Sequence, residues 1–575
     1  MKVSRWLPFV YALLLLWAGV HYAARIDQAL DVGFADETHY LDQGLRLTFE
    51  NMRTFRAPLY GVWYKALSLI EDDPMALYDV NLRVQVVLLP IALFWALWAS
   101  GVPPWAAFLL GWAWLLGDAN LEPWPRVSAF VWILILGGLG VFMRLKRDWR
   151  GWVVLLGSVG LSMYARPEMM LAFGLLLVWA FWRVPRTERR ALLIGLGILS
   201  VLMGLTFGSP YEPGRLFGAF GQHFAFRWKD RYLPNGLPWN YWEEVLQTAF
   251  GPEVHSLADV IRANPRLVVE HIAANAKDTL WRLGKMFFSH TPYVFKKRPF
   301  IEGVLWLSVG LLGLGWWWRS RRQVDWRHYR DFGVGVGILA LPSATSTVFI
   351  YPRYHYLLGL AVLGWYLWGV MVLGSLSRKI EQTFPRSSWA WKGGLAISVL
   401  LSLTTPSVVS HFGFRPLLDT RETLVTLRVL KRYGVKDVAV PRDQWDGRNV
   451  VVYLPDVHFV PIDPSGVEDL AQLNVQAVVL DNGAVWLRDA AHQARLLLWK
   501  QQGWEVLCTS RRPYVILTRI RPQEPLPVQP CDVESLSSFR PASSAFLEFV
   551  ARGRSLKQVR PREVESWPLE RVVLE

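Results

Sequence analysis

Long apolar runs recur along the first 409 residues of this 575-residue chain. The first run, residues 6–24, is long enough to cross a hydrocarbon layer of about 30 Å at roughly 1.5 Å per helical residue. Further runs of similar character follow, so the pattern predicts a polytopic α-helical membrane protein with eleven spans. The runs cover residues 6–24, 80–100, 102–116, 127–142, 151–163, 169–182, 191–207, 301–318, 332–350, 354–373 and 393–409.

The first run is predicted to be a retained membrane anchor. Lys2 and Arg5 precede it, but the segment 22–25 (YAAR) is a weak cleavage site and many spans follow. The composition agrees with a membrane protein, since 52% of the residues are hydrophobic and the mean hydropathy is +0.21. Many of the 32 tryptophans stand near the ends of runs, where amphipathic rings favour the membrane interface.

Basic residues in alternate connections predict the orientation. Segments 144–150, 183–190, 319–330 and 378–392 are strongly basic, and Lys and Arg are retained on the cytoplasmic side. The net charge of +15 is therefore a topological signal rather than evidence of nucleic-acid binding. An inside N-terminus puts the other connections outside a bacterial inner or plasma membrane. These are residues 25–79, 209–299, the turns near Asp118, Arg166 and Arg353, and the tail from about residue 410.

The tail differs in pattern from the preceding chain. Strand-like runs at 437–441, 449–454, 475–480 and 514–518 alternate with helix-like runs at 422–433 and 489–502, which predicts a small extracytoplasmic α/β domain within residues 410–575. Beyond residue 521 the chain is rich in Pro, Ser and charge, which predicts loose packing. Both cysteines, Cys508 and Cys531, fall in this domain, where they are either disulfide-bonded or two free thiols.

The acidic pair Asp36-Glu37 opens the first predicted outer loop. Adjacent carboxylates can divide their roles, one acting as a base and the other hydrogen-bonding or binding a cation, because like charges separate their pKa values. Asp27, Asp31 and Asp42 lie nearby, so a solvated acidic loop is the alternative interpretation.

Two further outer segments carry candidate binding residues. Arg56 and Tyr60 precede an amphipathic stretch, residues 61–70, which predicts a helix lying in the membrane interface; simple packing on the spans is the alternative. Asp118 and Glu122 put two more carboxylates on the second outer turn, where a plain polar turn is the alternative to part of a site.

Arg166 and Glu168 lie in a turn between two short runs. Only residues 151–182 cover both crossings, so this turn is predicted to sit below the membrane surface. Charges at that depth generally face a water-filled cavity or a partner. A pair that only fixes the turn is the alternative.

Arg353 and Tyr354 lie at another outer turn, within the sequence IYPRYHY. A planar guanidinium at headgroup depth suits a phosphate, since its forked donors can bind two oxygens. Snorkelling of Arg353 to lipid headgroups is the alternative. In the long loop 209–299, helices are predicted around His223 and over residues 264–275, with His223 more often structural than a ligand.

Four short motifs follow one another along the chain: Asp-Glu with a nearby Tyr, Pro-Leu-Tyr before an interfacial helix, Arg-Pro-Glu, and Pro-Arg-Tyr. Their order resembles that of the motifs of C-type integral-membrane glycosyltransferases. The likeness covers residues 1–409 and is nearest to the aminoarabinose transferase and protein O-mannosyltransferase families. It implies a sugar donor on a polyprenyl phosphate, transfer on the outer face and inversion at the anomeric carbon. By that analogy Asp36 is the general base and Glu37 its neighbour.

The resemblance has one departure and leaves one point open. Residues 118–122 lack a clear family pattern, which puts a role for Asp118 and Glu122 in doubt. Members of the family differ in whether they need a divalent cation, so the resemblance does not determine whether this chain binds one.

The expected function is transfer of a sugar from a polyprenyl-phosphate carrier to a hydroxyl of a lipid, glycan or protein. A carboxylate would take the acceptor's proton, and a cationic group would hold the charge of the leaving phosphate. A transporter or flippase of lipid-linked saccharides is the alternative. It would need a polar path to the cytoplasmic side, whereas the charged motifs cluster outside. A non-catalytic scaffold would tolerate loss of Asp36.

Overall fold

A computed structural model of the chain describes residues spread between positions 6 and 518. They are 6–24, 32, 36–121, 126–145, 148–211, 214–232, 241–288, 326–373, 388–411, 422–441, 451–462, 474–480, 490–508 and 515–518. These residues are mostly helical. The predicted run 301–318, Glu122 and Cys531 lie outside them.

The described α-helices are α1 Leu7–Ala23, α2 Asp36–Leu45, α3 Pro58–Leu67, α4 Pro74–Ala99, α5 Pro104–Leu116, α6 Val127–Arg144, α7 Trp149–Met163, α8 Met169–Arg183, α9 Arg189–Phe207, α10 Arg215–Tyr232, α11 Trp242–Phe250, α12 Leu257–Ala263, α13 Pro265–Phe288, α14 Trp326–Thr345, α15 Tyr354–Trp368, α16 Ser388–His411, α17 Glu422–Arg432 and α18 Ala490–Gln501. Short 3-10 turns form at Met52–Thr54 and Asp118–Leu121, and π-helical segments at Ser346–Ile350 and Gly369–Leu373.

Five helical segments of the described chain are long and apolar enough to cross a membrane. They are Pro74–Ala99, Val127–Arg144, Arg189–Phe207, Phe332–Ile350 and Tyr354–Val372. Shorter apolar helices lie at Leu7–Ala23, Pro104–Leu116, Met169–Arg183 and Gly393–Pro406. The structure thus agrees with the prediction of a mostly helical chain in which several helices can span a membrane.

Helix α9 leaves an apolar face uncovered by protein. Its exposed side chains include Leu193, Ile194, Ile198, Val201, Leu202 and Leu205. A continuous exposed apolar surface of this kind is unusual on a soluble protein. A lipid environment accounts for it, because hydrocarbon tails are as apolar as these side chains.

Close contact between α6 and α7 depends on a glycine. A Cβ atom added at Gly138 would overlap the side chain of Ser158 on α7. The neighbouring Gly137 has open space where its Cβ would be. Small residues at such contacts let helix backbones approach closely, which is how helices associate within lipid.

Contacts divide the chain into two units. The helical unit comprises Met1–Ile26, Tyr40–Asp72 and Asp79–Phe414, and the sheet unit comprises Asp27–His39, Asp73–Tyr78 and Arg415–Glu575. Within the sheet unit, the Thr38 hydroxyl lies 2.9 Å from the Tyr453 hydroxyl, and Lys431 forms a 2.9 Å ion pair with Asp73. These contacts join the two short N-terminal segments to the tail.

The sheet unit contains a five-stranded mixed sheet with strand order β2-β1-β3-β5-β4. Strand β1 runs parallel to β2 and β3, whereas β5 is antiparallel to β3 and β4. All four residues of β3 are buried, as expected for a strand covered on both faces. The strands are β1 Asp437–Pro441, β2 His458–Ile462, β3 Ala477–Leu480, β4 Glu505–Cys508 and β5 Val515–Thr518.

One predicted strand of the tail is wrong. Residues 451–453, within the predicted strand 449–454, form a helical turn, and the strand β2 begins only at His458. Val452 and Tyr453 have strand-forming side chains but are buried in that turn, because packing overrides β-propensity. The strands β2 and β4 were not predicted. Pro461 obscures β2, and a proline is tolerated there because β2 is an edge strand.

We expect Gly138→Ala to lower the thermal midpoint of the detergent-purified protein, because the added methyl group overlaps Ser158. Overpacking of this kind costs about 1–3 kcal/mol. Gly137→Ala is the matched control and should leave the midpoint unchanged or raise it. Differential scanning fluorimetry of both variants makes the comparison. Equal midpoints would show that α6 and α7 are not in close contact at Gly138.

Candidate functional site

Asp36 and Glu37 form the beginning of a helix rather than part of a loop, which corrects the sequence-based expectation. They are the first residues of α2, where the helix dipole favours negative charge. Asp36 is exposed, whereas Glu37 is buried with 1% of its surface accessible. The two adjacent carboxylates therefore have different surroundings, as a division of roles between them would require.

Tyr40 lies one turn farther along α2, at position i+4 from Asp36. Its ring is buried and lies 5.4 Å from the ring of Tyr60, in an edge-to-face arrangement. Tyr40 also interacts electrostatically with Arg166. Within the helical unit, Tyr40 therefore links α2 to α3 and to the turn between α7 and α8.

Tyr60 is fully buried in α3 and belongs to a polar network with α4. Its hydroxyl accepts hydrogen bonds from Asn81 Nδ2 at 3.0 Å and Gln85 Nε2 at 2.9 Å. Asn81 Nδ2 also donates to the Tyr64 hydroxyl at 2.8 Å, and Trp63 Nε1 donates to Asn81 Oδ1 at 2.7 Å. Hydrogen bonds between buried groups are strong in low-dielectric surroundings, so the network fixes α3 against α4.

The turn between α7 and α8 holds a buried cation. Arg166 Nε lies 2.6 Å from Glu168 Oε1, and the Arg166 guanidinium lies 4.7 Å from the centre of the Tyr356 ring. Burial is the largest single influence and lowers the pKa of Arg166, but Glu168, Tyr356 and Tyr40 together outweigh it, so the net shift of the pKa is upward. Arg166 is therefore a permanent positive charge, and only 8% of this residue is exposed to solvent.

Arg353 follows a π-helical segment. The α-helix α14 continues as a π-helix over Ser346–Ile350, and the backbone then becomes extended at Tyr351. The last carbonyls of a helix have no partner within the helix. Here α13 supplies donors: Asn275 Nδ2 lies 2.9 Å from the oxygen of Val348 and 3.1 Å from that of Ile350. Hence α13 holds the end of the helix that leads to Arg353.

His271 and Arg282 of α13 hold the same turn. The His271 Nδ1 atom accepts the indole N–H of Trp228 at 3.2 Å, which leaves the ring proton on Nε2. Nε2 then donates to the Ile350 oxygen at 3.2 Å. Arg282 Nη1 donates to the Pro352 oxygen at 2.8 Å. Three side chains of one helix therefore determine the course of the backbone on either side of Tyr351.

Two guanidinium groups lie over the ring of Tyr351. Those of Arg227 and Arg282 are 5.4 Å and 5.3 Å from the ring centre. Arg227 also donates to Asp278 at 2.6 Å and to Asn275 at 2.8 Å. Cation–π contacts and ion pairs together make this turn rigid and positively charged.

His223 lies beside the segment that carries Arg353 and Tyr356. The centre of its ring lies 6.3 Å from that of the Tyr356 ring and 6.1 Å from that of the Tyr351 ring. The positive charge of Arg353 also acts on the His223 ring. Burial and the Arg353 charge lower the pKa of His223 to about 3. We call these connected side chains the arginine cluster, which comprises Arg166, Glu168, His223, Arg353 and Tyr356.

Segments predicted to share one side of the membrane also meet in the helical unit. The backbone N–H of Leu59 donates to the Tyr164 oxygen at 3.3 Å, and the Tyr164 hydroxyl donates to the Gly208 oxygen at 3.1 Å. Arg215 donates to the Arg56 oxygen at 3.2 Å. The first connection, the α7–α8 turn and the segment after α9 are therefore neighbours.

The structure brings together Tyr60, Arg166, Glu168 and Arg353 from the sequence-predicted set. The Arg56 side chain is exposed, and Tyr354 lies beside Arg282, with 5.8 Å from guanidinium to ring centre. Asp118 begins a 3-10 turn, whereas Glu122 lies outside the described residues. No group of three or more His, Cys, Asp or Glu that could hold a metal occurs in the part of the chain that is described.

Sequence reasoning missed several polar residues of the site. Asn81 and Gln85 stand four residues apart in the otherwise apolar α4, and that spacing places them on one helix face. His271, Asn275 and Arg282 are four and seven residues apart on α13, which are spacings of about one and two helical turns. Regular polar spacing was thus the available signal, but the partners of these side chains are distant in sequence.

We expect the protein to lose stability as pH falls from 7 to 5. His223 and His271 have pKa values lowered to about 3 and about 4, each chiefly by burial. They stay neutral when folded, whereas a histidine of the unfolded chain takes up a proton below about pH 6.5. Folding stability is therefore complete above pH 6.5 and falls by about 2 kcal/mol per ring by pH 5.

Thermal midpoints measured across this pH range test the expectation. His223→Gln should flatten the pH dependence, because it removes one of the buried neutral rings. His255→Gln is the control, since His255 is exposed, and it should leave the slope unchanged. A wild-type midpoint that is independent of pH would contradict the buried, neutral state of these rings.

No protein-family model matches the sequence, and no curated protein matches it significantly. The likeness to C-type glycosyltransferases accordingly rests on short motifs and their order. The function must be inferred from the residues of the chain itself and from their contacts.

Proposed function

We propose that this protein is an inverting glycosyltransferase that uses a polyprenyl-phosphate sugar as donor. The acceptor is a hydroxyl group of a lipid, glycan or protein, and transfer takes place on the outer face of a bacterial inner or plasma membrane. The proposal includes the topology of eleven spans with the tail outside. It also assigns residues 1–409 as the transferase module and residues 410–575 as an extracytoplasmic α/β domain.

The observation that carries the proposal is the arginine cluster at the connections of the helical unit. Two cationic side chains, Arg166 and Arg353, are linked there through Tyr356 and His223. A permanent charge in a partly dry site interacts more strongly with an anion than the same charge in water does. The phosphate that leaves a polyprenyl-phosphate sugar is such an anion.

Arg353 is the proposed phosphate ligand. The backbone before it is held through the hydrogen bonds from α13, so the segment that carries the guanidinium has a defined course before a ligand binds. Arg166 has a carboxylate partner in Glu168 and is therefore assigned to shaping the electrostatic field of the cluster. A forked donor fits a phosphate group better than an ammonium does.

Asp36 is the proposed general base. In the reaction, the acceptor oxygen forms a bond to the anomeric carbon while its proton passes to the Asp36 carboxylate. The bond between the anomeric carbon and the phosphate oxygen breaks, and its electron pair leaves with the polyprenyl phosphate. An exposed carboxylate at the start of α2 is accessible to an acceptor. Glu37 is buried and is assigned to tuning its neighbour.

We expect Asp36→Asn to reduce sugar transfer by about 10²-fold or more, because the amide cannot accept the proton. Binding of the donor should be kept, and Glu37→Gln should have a milder effect. Asp42→Asn is the matched control, since Asp42 lies on the same helix and pairs with Arg46 at 2.7 Å. Transfer is measured from a radiolabelled polyprenyl-phosphate sugar by purified protein in liposomes.

The outcomes of this assay separate the candidate functions. Full activity of both Asp36→Asn and Glu37→Gln would overturn the assignment of the acidic pair. A dead Glu37→Gln with an active Asp36→Asn would exchange the two roles. Movement of intact donor across the bilayer without transfer would identify a flippase instead.

We expect Arg353→Ala to raise the donor KM more than Arg353→Lys, because lysine keeps the charge but loses the forked geometry. The control is Arg262→Ala, since Arg262 is largely exposed and pairs with Asp259 at 3.6 Å. Initial rates at varied donor concentration give the KM values. If Arg353→Ala has the wild-type KM, Arg353 does not bind the donor phosphate.

A further inference from the structure

An apolar cavity opens among α6, α7, α8 and α14, away from every residue assigned to sugar transfer. Its volume is about 170 Å³, several times the roughly 30 Å³ that one water molecule occupies in the liquid. Most of the lining is aliphatic or aromatic and includes Leu139, Trp152, Leu155, Leu176, Trp179 and Val336. An apolar cavity of this size suits part of a hydrocarbon chain better than water.

One positively charged side chain, that of Arg183, lines this cavity. Arg183, the last residue of α8, is among its lining residues, and its guanidinium lies 4.6 Å from the centre of the Trp179 ring. The indole thus keeps the charged group against an otherwise apolar wall. An amphipathic ligand with an apolar chain and an anionic group would complement both parts.

The chain next to Arg183 adds more positive charge. Segment 183–190 contains four arginines and one acidic residue, Glu188. The Glu188 carboxylate accepts the backbone N–H of Trp149 at 3.3 Å, which ties the start of α7 to this segment. Clusters of arginine beside membrane helices attract anionic lipid headgroups, with each basic residue contributing to the affinity.

The geometry points to a binding site for an anionic membrane phospholipid, with one acyl chain in the cavity and the phosphate at Arg183. The occupant is a lipid rather than a free phosphate, because the cavity offers apolar surface on all four contributing helices. The site is independent of the proposed sugar transfer, since none of its lining residues belongs to α2, to the arginine cluster or to α13.

A glycine provides a selective way to fill the cavity. Gly335 lines it, and a Cβ atom added there would meet no atom within 4 Å. Gly335→Leu should therefore occupy the space of the acyl chain. Gly337→Leu is the matched control, because Gly337 lies on the same helix, is exposed and also has open space at its Cβ, yet it does not line the cavity.

Binding of dioleoylphosphatidylglycerol and dioleoylphosphatidylcholine to the detergent-purified full chain tests the inference. Native mass spectrometry at varied lipid concentration gives the affinities. We expect wild type and Gly337→Leu to prefer phosphatidylglycerol, and Gly335→Leu to lose binding of both lipids. Arg183→Gln should bind phosphatidylglycerol about fivefold more weakly. The effect on phosphatidylcholine should be smaller, because that headgroup has no net charge.

The alternatives give different results. Retention of both lipids by a folded Gly335→Leu variant would show that no acyl chain occupies the cavity. Equal affinity of the wild-type protein for the two lipids would contradict selection of an anionic headgroup by Arg183. Binding of glycerol phosphate with the same affinity as the lipid would identify a free-phosphate site instead. Size-exclusion chromatography and circular dichroism establish that each variant is folded.

Discussion

The hydrogen bonds from α13 onto the end of the α14 helical segment are the interaction on which the rest of the site depends. A helix that ends before an extended Tyr351-Pro352 segment leaves carbonyls that its own chain cannot satisfy. Asn275 and His271 satisfy the carbonyls of Val348 and Ile350, and Arg282 donates to the Pro352 oxygen just beyond the helix. Because the donors come from a single rigid helix, the turn carrying Arg353 has one defined course.

The side chains around this turn also determine the charge state of His271. Arg227 and Arg282 are brought over Tyr351 by contacts that also involve Asn275 and Pro352. Burial and the positive charge of Arg227 keep His271 neutral, and a neutral ring can accept from Trp228 while donating to Ile350. A protonated ring would lose the first of these hydrogen bonds. The neutral state of His271 is thus part of the arrangement that holds Arg353.

The two carboxylates at the start of α2 have different solvent exposure although they are chemically alike. Asp36 and Glu37 are adjacent in sequence and similar in chemistry, but one is exposed and the other buried. The neighbouring Thr38 is held by the Tyr453 hydroxyl within the sheet unit. The tail segment around Tyr453 therefore contributes to fixing the first turn of α2 within the sheet unit.

Part of this organisation was predictable from the sequence. Apolar runs of 13 to 21 residues identify helices such as α6 and α15 because every residue in a membrane helix meets lipid or protein. Arg166 and Glu168 stood out because charges are costly in a short turn between apolar runs. The helical start of α2 was missed, since its polar residues also suit a loop. Strand β2 was missed because Pro461 interrupts its pattern.

Contacts between distant segments were beyond sequence reasoning. Asn275 shows no local sign that it caps a helix about 70 residues away, and its partner atoms are backbone oxygens that carry no residue-specific pattern. The Asn81 and Gln85 amides likewise find tyrosine hydroxyls of a different helix. Such partners depend on how the helices pack, which periodicity alone does not determine.

The most direct test of the central claim is equilibrium binding of radiolabelled polyprenyl phosphate to the full chain in nanodiscs, with wild type and Asn275→Leu compared. We expect the wild-type protein to bind the carrier saturably. Unlabelled carrier should displace the radiolabel fully, whereas inorganic phosphate should displace it poorly. Asn275→Leu should weaken it about tenfold or more, because the turn of Arg353 loses hydrogen bonds whose buried acceptors become unsatisfied. Absence of saturable binding in the wild-type protein, or equal binding by the variant, would contradict the account.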